Sequence, residues 1–297
     1  MTGSPLVAGV ELGGTKCICI LATGPDDIRD EIRIETRDPA ATLDAIHDTL
    51  ASWKLRHGFA ALGIGSFGPL DLDPASPAFG TIVATPKPGW SGTDLLARAR
   101  TLDVPFVLDT DVNGAALAEG RWGGAKGLAS YAYVTVGTGI GVGAIIQNRP
   151  ISGLGHVEAG HLRIPRLPGD TWPGSCPFHG DCVEGLASGT AIEACTGKRG
   201  GTLTADDPVW AGVAHALGAL LHNLVLTVAP QRILVGGGVA TSQPQLLADI
   251  RTRLAKSLGG YGATAALMDM MDSYVAPPQL GPQAGPLGAI ALAQRAA

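Results

Sequence analysis

Two stretches decide how this chain folds: Leu6–Leu21, LVAGVELGGTKCICIL, and Tyr131–Gln147, YAYVTVGTGIGVGAIIQ. In the first, apolar Leu6–Val10 and Cys17–Leu21 flank Glu11-Leu12-Gly13-Gly14-Thr15-Lys16, which reads as two strands joined by a glycine turn. In the second, strands Tyr131–Val136 and Val142–Gln147 flank Gly137-Thr138-Gly139-Ile140-Gly141. Glycines there let backbone N–H groups approach a phosphate closely, and Thr15 and Lys16 add a hydroxyl and a cation. The first turn has neither the Walker nor the G-x-G-x-x-G spacing, and by itself it fits a plain hairpin. The repetition of strand, glycine turn and strand predicts an internal duplication with two phosphate loops.

The intervening segments alternate helices with buried strands, the pattern of an α/β chain. Pro39–His57 reads as a helix, with Leu43, Ile46, Leu50 and Trp53 at helical spacing. Ala61–Ser66 is a buried strand that ends in the loop Gly65-Ser66-Phe67-Gly68-Pro69-Leu70. Thr85-Pro86-Lys87-Pro88-Gly89-Trp90 reads as a rigid exposed segment and Asp94–Arg100 as a short helix. Val104–Leu108 is a strand, and Asp109-Thr110-Asp111-Val112-Asn113-Gly114 leads from it into a helix through Glu119. Ligands of open α/β sheets sit at carboxyl ends of strands, so Asp111 is placed for chemistry; it reads equally as a helix N-cap. Later come helices at Ala187–Cys195, Pro208–Val228, Gln245–Leu258 and Gly285–Arg295, and short strands at Arg232–Val235 and Tyr274–Ala276. Gly236, Gly237 and Gly238 follow the Arg232–Val235 strand and admit a flat ring or a phosphate.

Between the second hairpin and the later helices lies His156–Glu184, HVEAGHLRIPRLPGDTWPGSCPFHGDCVE. His161, with Cys176, His179 and Cys182 in C-x-x-H-x-x-C spacing, makes a two-sulfur, two-nitrogen set suited to tetrahedral zinc. Four protein ligands leave no open position, so the ion is expected to be structural and to fold a loop with little apolar content. A redox role fits less well, because C-x5-C with a central histidine is not a C-x-x-C pair. Glu158 and Glu184 flank the ligands, and with His161 they can hydrogen-bond the hydroxyls of a polyol.

The chain has 297 residues, room for two ordinary domains. A net charge of −5 without a basic run gives no support for nucleic-acid or membrane-surface binding. No apolar stretch is read as reaching membrane-spanning length, and the start MTGSPLVAGVELGG lacks the features of a signal peptide. Of five cysteines, two are wanted as metal ligands, which suits a reducing cytoplasm.

Taken in order, these motifs resemble the ROK family of sugar kinases, and within it the bacterial zinc-containing fructokinases, from Gly9 to Ala293. Gly9–Lys16 is similar to the first phosphate motif and Val136–Gly141 to the second. Gly65–Pro69 and Thr85–Trp90 are similar to substrate-side loops, Thr110–Ala116 to the catalytic-aspartate motif, and Ile233–Val239 to the adenosine motif. Glu158-Ala159-Gly160-His161 and the C-x-x-H-x-x-C-x-E stretch resemble the family signature. Glu11, Thr110 and His179 stand where most ROK glucokinases carry Asp, Asn and Cys, and all three resemble the fructokinase branch.

The resemblance implies an actin/hexokinase-like ATPase fold of duplicated ribonuclease-H-like domains with a zinc-binding loop. It implies a first domain over residues 1–113, with the helix 285–297 packing back on it, and a larger domain over 114–284. It implies MgATP-dependent phosphorylation of a hexose, D-fructose to fructose 6-phosphate, by a cytoplasmic homodimer. Asp111 would be the general base, with Glu158, His161, Glu184, Gly68, Pro69, Thr110 and Asn113 on the sugar. Gly13, Gly14, Thr15, Lys16, Gly137, Thr138 and Gly139 would hold phosphates, and Gly189, Thr190 and Gly236–Gly238 adenosine. Glu11 would organise magnesium through water, and zinc would be structural. Mannose, glucose or N-acetylmannosamine are alternative acceptors, and a non-catalytic sugar-binding protein is a further alternative.

Overall fold

The computed structural model describes residues 4–297; Met1–Gly3, where the expected first domain begins, lie outside the described residues. The chain forms two units. One comprises the described residues up to Lys126 together with Pro150–His156 and Leu280–Ala297, and the other Gly127–Arg149 and Val157–Gln279.

In the first unit, β1 (Val7–Leu12), β2 (Lys16–Gly24) and β3 (Asp27–Glu35) run as an antiparallel meander. Helix α1 (Pro39–Arg56) starts where Asp38 accepts the Ala41 N–H at 3.0 Å and Pro39 supplies a preset φ. It buries Leu43, Ile46, Leu50 and Trp53, and the Trp53 indole donates to Asp30 at 2.8 Å. After it, β4 (Leu62–Ser66) and β5 (Phe106–Thr110) extend the sheet in parallel, giving the order β3-β2-β1-β4-β5. Helix α2 (Asp111–Trp122) follows β5 directly.

The second unit repeats this wiring. Its strands are β6 (Tyr131–Val136), β7 (Ile140–Ile146), β8 (Arg149–Pro150), β9 (Ile233–Gly236) and β10 (Val275–Ala276). Read as β8-β7-β6-β9-β10, β6 is antiparallel to β7 and parallel to β9, which is parallel to β10. Strand for strand, that matches β3-β2-β1-β4-β5, so the expected duplication is present in the connectivity. Its helices are α3 (Val183–Ala187), α4 (Gly189–Thr196), α5 (Val209–Val228), α6 (Gly238–Ser242), α7 (Gln245–Leu258) and α8 (Met271–Tyr274). Val134 and Val136 pack with Leu217, Leu220, Leu224 and Ile250 in its core, each large side chain contributing about 1.5–3 kcal/mol when fully buried.

Several expectations need correction. The first unit runs past Asn113 to Lys126, because Asn113 and Gly114 lie inside the continuous helix α2. Asp94–Arg100 is not a helix: Asp94 accepts the Leu96 and Ala97 N–H groups at 2.8 and 3.1 Å, holding a turn, and only Ala99–Leu102 coils as a 3-10 turn. Trp90, read as exposed, is wholly buried, its indole N–H on the Arg37 carbonyl at 3.1 Å and its ring edge-on to Phe67. At 20 residues, α5 is long and apolar enough to cross a membrane, contrary to the reading that no stretch is. Its stripe of Val213, Leu217, Leu220, Leu221 and Leu224 is buried in the core of its unit.

The C-terminal helix Ala284–Ala293 lies on the β1/β4 face of the first sheet. Gly63 permits this approach: a Cβ there would stand 2.0 Å from the Ala289 carbonyl oxygen and 2.5 Å from the Ala293 nitrogen. Because both neighbours are backbone, they cannot rotate away. We expect Gly63→Ala to lower stability by about 1–3 kcal/mol, read as a drop in denaturation midpoint at constant m-value; an unchanged midpoint would show that the helix does not sit against this strand.

Candidate active site and metal centre

The parallel strands of the first unit end in step. Glu11 pairs with Gly65 and Gly65 with Asp109; one residue later Leu12, Ser66 and Thr110 align. Alternation puts Glu11, Gly65 and Asp109 on one face, and the missing side chain at Gly65 leaves a gap between two carboxylates. Asp111 lies beside that gap, its Cα 3.4 Å from where a Gly65 Cβ would be.

Asp111 is the first residue of α2, and the N-cap is Thr110, whose hydroxyl accepts the Asn113 N–H at 3.2 Å. The Asp111 carboxylate therefore does not cap the helix. It accepts the Val112 N–H at 2.8 Å and lies at the positive end of the helix dipole. Its surface is partly open, yet dense surroundings dominate: burial pushes its pKa above the ordinary carboxylate value, while the Val112 N–H and His156 pull it back. Burial likewise raises Asp109, against hydrogen bonds at 2.7 Å from the Asn113 amide and the Thr110 N–H. Thr110 and Asn113 are themselves buried and engaged in this turn.

Glu11 is pushed up from 4.5 to about 7, first by burial and then by Asp111, with Lys16 opposing. Its carboxylate lies against the first turn of the C-terminal helix, where a Cβ on Gly285 would stand 2.1 Å from Oε1. In the first hairpin Gly14, Thr15 and Lys16 are exposed. The Gly13 carbonyl accepts the Thr36 hydroxyl at 2.8 Å, and the Gly14 carbonyl accepts the Lys87 ammonium. Gly68 and Pro69 share a cis peptide bond, and next to them the Leu70 N–H donates to His156 Nε2 at 3.0 Å. From sequence Lys87 was only part of a substrate-side loop, and neither it nor His156 had a contact of its own. Both act across long separations, and the only signals were a lone lysine between prolines and a further histidine five residues before His161.

In the second unit the Gly137-Thr138-Gly139 turn carries the N-terminus of α4. The Gly189 N–H donates to the Gly137 carbonyl at 2.7 Å, and Thr190 gives its N–H and hydroxyl to the Thr138 carbonyl at 3.3 and 2.9 Å. Gly237, at φ +91°, lies so close to β6 that a Cβ would meet Val136 backbone at 2.5 Å, while Gly238 beside it is open. Residues read as phosphate-binding and adenosine-binding are thus brought together within this unit.

His161 Nδ1, Cys176 Sγ, His179 Nδ1 and Cys182 Sγ lie within 4.8 Å of one another. Sulfur-to-nitrogen separations are 3.7 Å for Cys176 to His161, 3.7 Å for Cys176 to His179 and 3.5 Å for Cys182 to His161. A zinc ion with Zn–S of about 2.3 Å and Zn–N of about 2.0–2.1 Å spaces tetrahedral S and N ligands by roughly 3.6 Å, so these donors fit zinc. Paired backbone bonds between Cys176 and Gly180, at 3.1 and 2.9 Å, shape the knuckle. With Nδ1 turned to the thiols, His161 Nε2 faces Glu184 Oε1 at 3.9 Å, and Glu184 Oε2 accepts the Ile140 N–H at 2.9 Å. Glu184 therefore ties the Gly137–Gly139 turn to the histidine–cysteine set. Glu158 is exposed, and its backbone carbonyl accepts the His161 N–H at 3.0 Å.

Two expectations follow. The purified chain should carry about one zinc per molecule by elemental analysis, and Cys182→Ser should lose it and melt several degrees lower; zinc-free protein whose melting ignores a chelator would contradict this. Between pH 4.5 and about 7 the fold holds a proton on Glu11 that the unfolded chain has released, so stability from this group falls as pH rises through that window. In magnesium-free buffer the stability of Glu11→Gln relative to wild type should therefore increase from the lower to the upper pH; a constant difference would contradict it.

The profile of the ROK family matches residues 7–296. A fructokinase of Pediococcus pentosaceus is 40% identical over 292 residues, covering 98% of this chain and 98% of the relative. A fructokinase of Zymomonas mobilis subsp. mobilis is 41% identical over 293 residues, covering 96% and 95%. Among solved structures, a ROK family glucokinase from Streptomyces griseus in complex with glucose and AMPPNP superposes with a TM-score of 0.73 at 26% identity, covering 98% of this chain and 99% of that one. Near-complete coverage of both partners in every case, together with the repeated sheet wiring and the histidine–cysteine knuckle, makes this chain a member of the ROK family.

Proposed function

We propose that this chain phosphorylates D-fructose with MgATP, giving fructose 6-phosphate and ADP. What carries the reading is Asp111: a partly open carboxylate at a strand-to-helix turn, desolvated by its surroundings, in a chain about two-fifths identical to fructokinases over nearly its whole length. A base must hold its proton acceptor free at working pH yet want the proton, and burial opposed by helix N–H groups supplies both tendencies.

In this mechanism Asp111 accepts the proton of the attacking primary hydroxyl. Gly68 and Pro69, with Glu158, His161 and Glu184, bind the sugar, while Thr110 and Asn113 hold the turn that aims Asp111. Gly13–Lys16 and Gly137–Gly139 offer backbone N–H groups to phosphates, and Gly189, Thr190 and Gly236–Gly238 line the adenosine site. Phosphoryl transfer asks mainly for positioning and charge stabilisation; Glu11 would hold magnesium through water, and the ion would neutralise phosphate charge. Zinc held by His161, Cys176, His179 and Cys182 would keep the 156–184 loop folded. We infer a cytoplasmic homodimer by analogy with the fructokinase branch.

Asp111→Asn keeps size and polarity but cannot accept the proton. Turnover should fall by roughly 10²–10⁴-fold, while fructose affinity by calorimetry stays within a few-fold. Fructose should also lead a panel with glucose, mannose and N-acetylmannosamine. Retained turnover would remove Asp111 from this role, and a different best acceptor would remove fructose.

A further inference from the structure

The loop that follows β4 is pinned at three backbone points. The Phe67 N–H donates to the Leu12 carbonyl at 2.9 Å, the Pro69 carbonyl accepts the Val83 N–H at 2.8 Å, and the Leu70 N–H donates to His156 Nε2 at 3.0 Å. The first two are contacts between backbone groups that many sequences could make. The third needs one particular side chain, contributed from 86 residues away along the chain. Because a backbone N–H can only donate, Nε2 is the acceptor, and the neutral ring carries its proton on Nδ1. The fit is tight: a Cβ at Gly68 would stand 3.2 Å from Nε2 and 3.3 Å from Cε1. Glycine at 68 and histidine at 156 are therefore matched to each other.

We propose that His156 is a positioning residue for phosphoryl transfer, its imidazole fixing the Gly68-Pro69-Leu70 loop against the strand ends that carry Asp109 and Asp111. This rests on the kinase reading above. An electrostatic consequence follows from the same placement. When the ring gains a second proton its charge favours the ionised forms of both Asp109 and Asp111. Lys16, Glu31 and Arg295 also act on these carboxylates or on Glu11 beside them. Protonation at Nε2 also removes the acceptor for Leu70, so the loop contact and the charge oppose each other as pH falls.

Three chains separate the two effects: wild type, His156→Ala and His156→Gln. The glutamine amide oxygen reaches the place of Nε2 and can accept from Leu70, but the amide does not titrate. His156→Ala should raise the hexose KM about tenfold, the scale of an unmet backbone N–H, and His156→Gln should stay within about threefold of wild type. Both variants should raise the pKa of Asp111, read by NMR, because both lose the charge that favours its ionised form. A merely structural role would change stability without moving that pKa. An unchanged KM in His156→Ala, or an Asp111 pKa that stays in place in both variants, would overturn the proposal while leaving the kinase reading intact. If the alanine variant fails to fold, the Asp111 pKa of the glutamine variant decides alone. A wild-type chain that phosphorylates no hexose would overturn the kinase reading itself, and this proposal with it.

Discussion

A carboxylate held among packed atoms loses hydration that a protein must replace or leave missing. At Asp111 the replacement is partial: one helix N–H at 2.8 Å, the favourable end of a helix, and a histidine near enough to act on it. Desolvation remains the larger influence, so the group keeps a heightened affinity for a proton. That imbalance depends on geometry set far from the residue. Glu11, Gly65 and Asp109 stand in register because three strands run parallel and end together. The row can be crowded because Gly65 contributes no side chain and Gly63 lets the C-terminal helix lie against backbone.

The second unit reaches order by a different route. Its loop from Val157 to Cys182 is rich in proline, glycine and charge, and such a segment buries too little apolar surface to order itself. Four side chains that could hold a metal ion lie there within 4.8 Å of one another, and a bound ion would substitute for a core. Their influence extends through Glu184, which reaches from the knuckle to the Ile140 N–H at the end of the glycine turn. A change in this set would thus be felt at the Gly137–Gly139 turn as well as in the loop.

Much of this was readable in the chain itself. Both hairpins announced themselves because apolar runs of strand length met glycine turns, and the repeat exposed the duplication that the matched sheet orders display. The metal set was legible because ligand spacing survives without knowledge of the fold. Strand β3 was not read at all: DIRDEIRIE is an edge strand, mostly solvated, and charge at an edge is how sheets avoid further pairing. Asp94–Arg100 misled because Asp94 captures its neighbours' N–H groups in a turn, a side-chain choice that periodicity does not register. Trp90, Lys87 and His156 owe their places to partners 53, 73 and 86 residues distant, and contacts of that range leave no local pattern.

Proton transfer from the sugar hydroxyl depends most on the protonation behaviour of one side chain. Labelling aspartate at Cγ with 13C and comparing wild type with Asp111→Asn assigns its resonance, and a pH titration then reads its pKa in the folded protein. The structure predicts a midpoint above the ordinary aspartate value of about 3.9, shifted further upward when His156 is replaced by glutamine. A midpoint at or below the ordinary value would contradict the claim that packing around the strand ends makes Asp111 a base.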